Sequence, residues 1–286
     1  MAGIRIVTDS ACDLPPATAA AHNIDIVPLT VRIGDTEYVD RRDLTPREFW
    51  EKSSASKTLP ETAAPSPGAF EECFRAAATA QASGVVCVTL SSDLSATYQA
   101  AGLAAEAVKD TIPVRVIDSR SVTIAQGLLA IAGAEAAAAG KSIDEVAGVI
   151  EDKIPRMRVF AALDTLENLK KGGRIGAARA ALGSMLSVKP LIKVENGAVH
   201  EEGKQRTRGR ALEALIEIGR SHGAAAAKPL AVMHGDAPDV DKFVEDLCNA
   251  LGRSRDDILL GDIGSVVGTH AGPRVIGLAY DEPADA

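Results

Sequence analysis

The sequence predicts an α/β protein of two domains, and three observations carry that expectation. Its 286 residues amount to about two domains of ordinary size. Apolar runs alternate with helical patterns through the first half, the arrangement of a parallel sheet flanked by helices. The second half opens differently, with a hairpin signal, Asn196-Gly197, between Leu191–Val194 and Ala198–His200, so a mixed α+β domain is expected there. The boundary falls where Pro155 ends a helix and Arg156-Met157-Arg158 leads into a new strand, which divides the chain into residues 1–157 and 158–286.

Each element has a local reason. Ile4 to Thr8, Val85 to Leu90 and Val114 to Ile117 are short apolar runs that end in Asp or Ser, as buried parallel strands do before a loop. Thr45-Pro46-Arg47-Glu48 combines an N-cap, a first-turn proline and a capping-box glutamate; Ser66-Pro67 repeats the first two, and Ser142 with Glu145 forms another box. The Ala-rich helix before them ends at Gly140. Gly140-Lys141-Ser142 imitates the tail of a P-loop, but Glu135 stands where the first glycine belongs, so a helix C-cap followed by an N-cap is expected. In the second half, strands are expected at Val159 to Leu163, Leu230 to Met233, Asp257 to Leu260 and Val275 to Tyr280, with a helix at Val240 to Leu251.

Composition narrows the function. With 31 basic and 39 acidic residues the net charge is −8, and only one Trp, three Tyr and five Phe are present, a poor match to nucleic-acid binding. No long uncharged apolar run spans a membrane, and Arg5 and Asp9 interrupt any signal-peptide core, so a cytoplasmic location is expected. Cys12, Cys73, Cys87 and Cys248 lack CxxC spacing and read as reduced core residues, and no metal site is expected. The charge is uneven: Lys170 to Arg210 holds ten basic residues against three glutamates, a local +7 on a remainder of −15.

Polar residues gather at strand ends, where open α/β sheets bind ligands. Ser91, Ser92, Ser95 and Thr97 follow the Val85 strand, and Ser95 reads as the N-cap of the next helix, leaving free N–H groups to face an anion. Turn chemistry alone is the bland alternative for each serine. Thr62 sits in an exposed loop before Pro65, and His270 in a turn-rich, glycine-bounded loop, Gly268 to Pro273, where it can donate to an anion. His234 is assigned a structural role. Arg174, in the Gly172-Gly173-Arg174 corner, can place a guanidinium at a cleft. No GxGxxG, GxSxG or HExxH motif is present.

These segments resemble the DegV family. The resemblance runs through IVTDSACDLP (Ile6 to Pro15), PLTVRIGDTEYVD (Pro28 to Asp40), TAAPSPGAF (Thr62 to Phe70), LSSDLSATYQAA (Leu90 to Ala101), VIDSRSVTIAQGLL (Val116 to Leu129) and the long block Leu163 to Ile192. It ends with RTR (Arg206 to Arg208) and VVGTHAGP (Val266 to Pro273). It implies a two-domain DegV-like fold with a long-chain fatty acid buried between the domains, and a role as the fatty-acid-carrying subunit of a bacterial fatty acid kinase. Thr62, Ser95 and His270 match the family's carboxylate-binding positions. Ser91, Ser92, Thr97, Arg174 and Arg274 are further candidates for the cleft mouth. Arg174 and Arg208 match positions suited to docking the kinase subunit. ATP and Mg²⁺ would then belong to that partner, with no cofactor on this chain and no more than transient contact with a membrane surface. Ala63, Ala96 and Arg274 depart from the family pattern, removing one hydroxyl and adding one guanidinium near the head group. Two other classes stay open: a hydrolase or acyltransferase with Ser95 as nucleophile and His270 as base, and a regulatory protein in which lipid is only a structural plug.

Overall fold

The computed structural model describes residues 3–178, 188–222 and 229–282. Four parallel strands form the first sheet in the order β2 (Ile24–Val27), β1 (Ile4–Asp9), β6 (Gly84–Thr89) and β7 (Val114–Asp118). The whole of β6 is buried, as a strand covered on both faces must be. A second, mixed sheet runs β10 (Ala198–Gln205), β9 (Lys189–Glu195), β8 (Met157–Ala162), β13 (Ile276–Asp281), β11 (Leu230–His234), β12 (Ile258–Asp262). Its pairs are antiparallel except β11 with β12. The expected α/β class and the parallel and mixed sheets are therefore present. Asn196 and Gly197, with φ of 51° and 86°, close the β9–β10 hairpin as the Asn-Gly signal requires.

A third sheet is absent from the expectations above. β4 (Thr36–Val39), β3 (Thr30–Ile33) and β5 (Glu61–Ala63) form a small antiparallel sheet. Its hairpin turns on Gly34-Asp35, with Gly34 at φ 59°, a two-residue signal legible in the sequence and overlooked. Thr62 is consequently not in a loop: it lies in β5, opposite Val31.

The helices are α1 (Pro16–Ala21), α2 (Pro46–Ala55), α3 (Pro67–Thr79), α4 (Thr97–Ala107), α5 (Ile124–Ala138), α6 (Ile143–Lys153), α7 (Glu167–Lys171), α8 (Arg208–Ser221), α9 (Val240–Leu251) and α10 (Ser265–Ala271). The capping boxes at Thr45/Glu48 and Ser142/Glu145 both form. Gly140, at φ 78°, follows the end of α5 and Ser142 caps α6, which settles the P-loop mimic as cap chemistry. Two sequence expectations need correction. α4 starts after Ala96 rather than Ser95, whose hydroxyl instead accepts from the Thr97 N–H at 3.3 Å. His270 lies in α10, not a loop; Gly272, at φ 82°, ends that helix just beyond it.

The position of α5 explains its composition. A helix apolar around most of its circumference must be buried there, and α5 is wedged between the two larger sheets, packed on β1 and β6 and on β8, β11 and β13, with Glu135 and Ala138 near its end exposed. Small residues permit the close approach. A Cβ at Gly127 would meet Leu14 Cγ at 2.8 Å, and one at Gly133 would meet Ile150 Cδ1 at 2.7 Å. One continuous core therefore joins Ile6 and Val86 of the first sheet to Val159, Ala161 and Met233 of the second through Leu128 and Leu129. Among the described residues, no helix is long and apolar enough to cross a membrane.

Candidate functional site

Where the first sheet's loops meet a face of the second, the core is incomplete. A cavity of about 200 Å³ remains there. Alternation along the strands turns Val159 and Ala161 of β8, and Ile192 and Val194 of β9, to the same face, and these form its floor with Met233 and Gly277. Gly277 leaves room for the Met233 side chain: a Cβ there would meet its Sδ at 2.7 Å. Leu29, Leu90, Leu94 and Val122 come from the first half of the chain, and Val266, Val267 and Ala271 from α10.

Polar side chains on this wall are few: Thr62, Ser95, Thr123, Arg174 and His270. β5 carries Thr62 and α10 carries His270, and Thr62 Oγ1 lies 2.9 Å from His270 Nε2. Burial, and secondarily the Arg174 charge, pushes the His270 pKa down to about 4, so the ring is neutral at pH 7. Gly172, just after α7, seats the ring closely: a Cβ there would stand 2.3 Å from Nδ1. The Arg174 guanidinium donates through Nε to the Leu94 carbonyl (3.0 Å) and through Nη1 to the Gly172 carbonyl (2.8 Å). None of the ion pairs among the described residues involves Arg174, so its charge is not neutralised by a carboxylate. Ser95 Oγ lies 2.8 Å from Thr97 Oγ1 in front of the start of α4. The corner thus combines two hydroxyls, a neutral imidazole, a partly buried guanidinium and a helix N-terminus, a set suited to hydrogen-bonding an anion.

The remaining sequence candidates lie elsewhere. Ser91 Oγ is buried and donates to the Gly197 carbonyl at 2.7 Å, fastening the β9–β10 hairpin. Ser92 Oγ donates to Asp118 Oδ2 at 2.5 Å. Thr97 is buried behind Ser95. Arg208 forms a two-pronged pair with Asp239 at 2.6 and 2.7 Å and reaches Asp164 at 3.5 Å; its side chain is 13% exposed. Arg274, in left-handed backbone at φ 62°, stands 3.7 Å from Asp164. None of these five is among the cavity-lining residues. His234 Nε2 lies 3.3 Å from Asp262, away from the cavity. Thr123 was missed by sequence reasoning, because a threonine before a helix reads as an ordinary cap; it makes no capping bond and lines the cavity instead.

The geometry bears on the hydrolytic alternative. His270 pairs with Thr62 rather than Ser95, and its Nδ1 faces Gly172 without a carboxylate to orient it. A nucleophile–base–orienter relay is not assembled. No cluster of His, Cys, Asp or Glu among the described residues could hold a metal ion.

Fold and cavity define an α/β protein that encloses an apolar space with an anion-ready corner. The chain belongs to the DegV family: the family described as "Uncharacterised protein, DegV family" matches residues 3–282. A DegV domain-containing protein of Streptomyces coelicolor is 35% identical over 275 residues, covering 96% of this chain and 97% of that one. Among solved structures, a fatty-acid-binding DegV family protein from Thermus thermophilus is similar with a TM-score of 0.88 at 29% identity, covering 98% of this chain and 100% of that one. DegV of Bacillus subtilis, a fatty acid binding protein, is similar with a TM-score of 0.87 at 28% identity, covering 99% and 100%.

Proposed function

We propose that this protein binds a long-chain fatty acid, with its acyl chain on the apolar floor and its carboxylate at Thr62, Ser95 and His270. The observation that carries this reading is the cavity's division into a long apolar wall and one polar corner. Each buried methylene contributes about 0.8 kcal/mol before ordering costs, so the chain supplies affinity. The corner supplies orientation. Relatives of the same fold that bind fatty acids support the assignment.

The carboxylate is held for a partner. In this reading an ATP-binding kinase subunit, which brings its own ATP and Mg²⁺, docks beside Arg174 and Arg208 in the cytoplasm and converts the presented carboxylate to an acyl phosphate. Native mass spectrometry of gently purified protein tests the first half. A retained fatty acid, reduced in Ser95→Ala and His270→Ala, is expected; a folded protein that neither retains nor takes up any fatty acid would refute it. For the second half, acyl phosphate should form only when protein, fatty acid, ATP and kinase subunit are combined, and should fall in Arg174→Ala and Arg208→Ala preparations that still hold lipid.

A further inference from the structure

The IVTDSACDLP segment contributes no polar side chain to the cavity wall, yet its acidic side chains are buried. Asp13 collects donors from three distant segments. Oδ1 accepts from the Gly264 N–H at 2.8 Å and from Arg41 Nη2 at 3.0 Å, and Oδ2 accepts from Thr123 Oγ1 at 2.7 Å. Gly264 is the N-cap residue of α10, the helix that delivers His270. The fit is tight: a Cβ on Gly264 would lie 3.1 Å from Asp13 Oδ1 and 3.3 Å from Arg41 Nη2. Beside it, Ser265 Oγ donates to Asp40 Oδ1 at 2.5 Å.

The backbone is strained where these side chains converge. Asp13, Arg41 and Thr123 all have positive φ, at 50°, 60° and 58°. For the β-branched Thr123, with ψ of −149°, this is a rarely populated conformation that persists only when surrounding contacts enforce it. Such strain is a reason to look for function.

We propose that Asp13 is a positioning residue for the head-group corner: by fixing the start of α10 and the Thr123 wall together it sets His270 against Thr62. This rests on the carboxylate-binding reading above. The charges facing Asp13 are Asp9 and the Cys12 thiol from its own turn, and Asp40 and Arg41 from the segment after β4; the neutral Gln126 of α5 donates to Asp9. Burial pushes the Asp13 pKa up to about 6 against the pull of Arg41. The closed site thus takes up a proton more readily than an opened one.

The test is dissociation of palmitate and of methyl palmitate into albumin at neutral pH. Asp13→Asn, which keeps the side chain's size but replaces one acceptor oxygen by a donor, should release palmitate about tenfold faster and the ester no faster. Unchanged palmitate release, or equal acceleration of acid and ester, would overturn the proposal. If palmitate does not bind, or His270→Ala binds it unchanged, the carboxylate reading fails instead. Should Asp13→Asn not fold, amide exchange on the unaltered protein decides: residues 264–271 and 123–126 should open together with one free energy, and separate openings would overturn the proposal.

Discussion

The floor of the cavity and its polar corner are built by opposite rules. Floor residues such as Val159, Ala161, Ile192 and Val194 come from alternate positions of neighbouring strands, and many apolar side chains of suitable size would serve. The corner depends on a few groups brought by β5, the turn before α4, the segment after α7, and α10, each seated by a contact that substitution breaks. Affinity that scales with area can be spread over a sheet, whereas orientation of a head group must be concentrated.

Filling the floor should therefore have the largest effect. Ala161→Trp places an indole in a space of about 200 Å³. It should abolish acyl-chain retention while costing about 1–3 kcal/mol of stability from overpacking. Lipid content by mass spectrometry and a thermal melt would separate the two outcomes.

Corner substitutions should be smaller and selective. His270→Ala should weaken fatty acid binding roughly 10- to 100-fold, the worth of a hydrogen bond to a charged group. The affinity for the corresponding methyl ester should barely change. Titration calorimetry with acid and ester would check this, and equal losses for both would assign His270 to the floor's role.

The corner also has a pH signature. Because the folded His270 pKa is depressed to about 4, unfolding takes up a proton below the ordinary histidine value of 6.5. The stability held by the neutral ring is thus intact above pH 6.5 and lost as pH falls through about 4. His270→Gln should lack that loss, so its stability should gain on the unaltered protein by up to about 3 kcal/mol across the window. Asp9 and Asp13 act in the opposite sense, since burial raises them to about 7 and about 6: their contribution is greatest in acid and is lost as pH rises through those values. Comparing variant and unaltered protein in urea at each pH cancels the aspartates.

The smallest effect is expected outside both regions. Ser92→Ala removes a hydroxyl bonded to Asp118 and should leave fatty acid affinity unchanged, with stability falling by about 0.5–1.5 kcal/mol. A marked loss of binding would place Ser92 in the corner after all.

What the sequence makes legible follows the range of the interactions involved. Capping boxes and the Asn196-Gly197 hairpin are local and appear where expected. Thr62, Ser95 and His270 stand out by chemistry and motif and line one cavity, but the elements that carry them do not show in the local sequence. β5 is three residues long and exists only by pairing with β3, a contact no local pattern announces. The role of Asp13 was hidden for the same reason. Its partner Gly264 lies 251 residues away, and a carboxylate in the turn after β1 looks solvated until that partner closes over it.

A crystal structure of the protein with stearate would test the division between floor and corner most directly. The expected density runs as an acyl chain across Ala161, Ile192 and Met233, with the carboxylate in hydrogen-bond contact with Thr62, Ser95 and His270. Stearate bound in the reverse sense, or outside this cavity while the floor closes on itself, would contradict it.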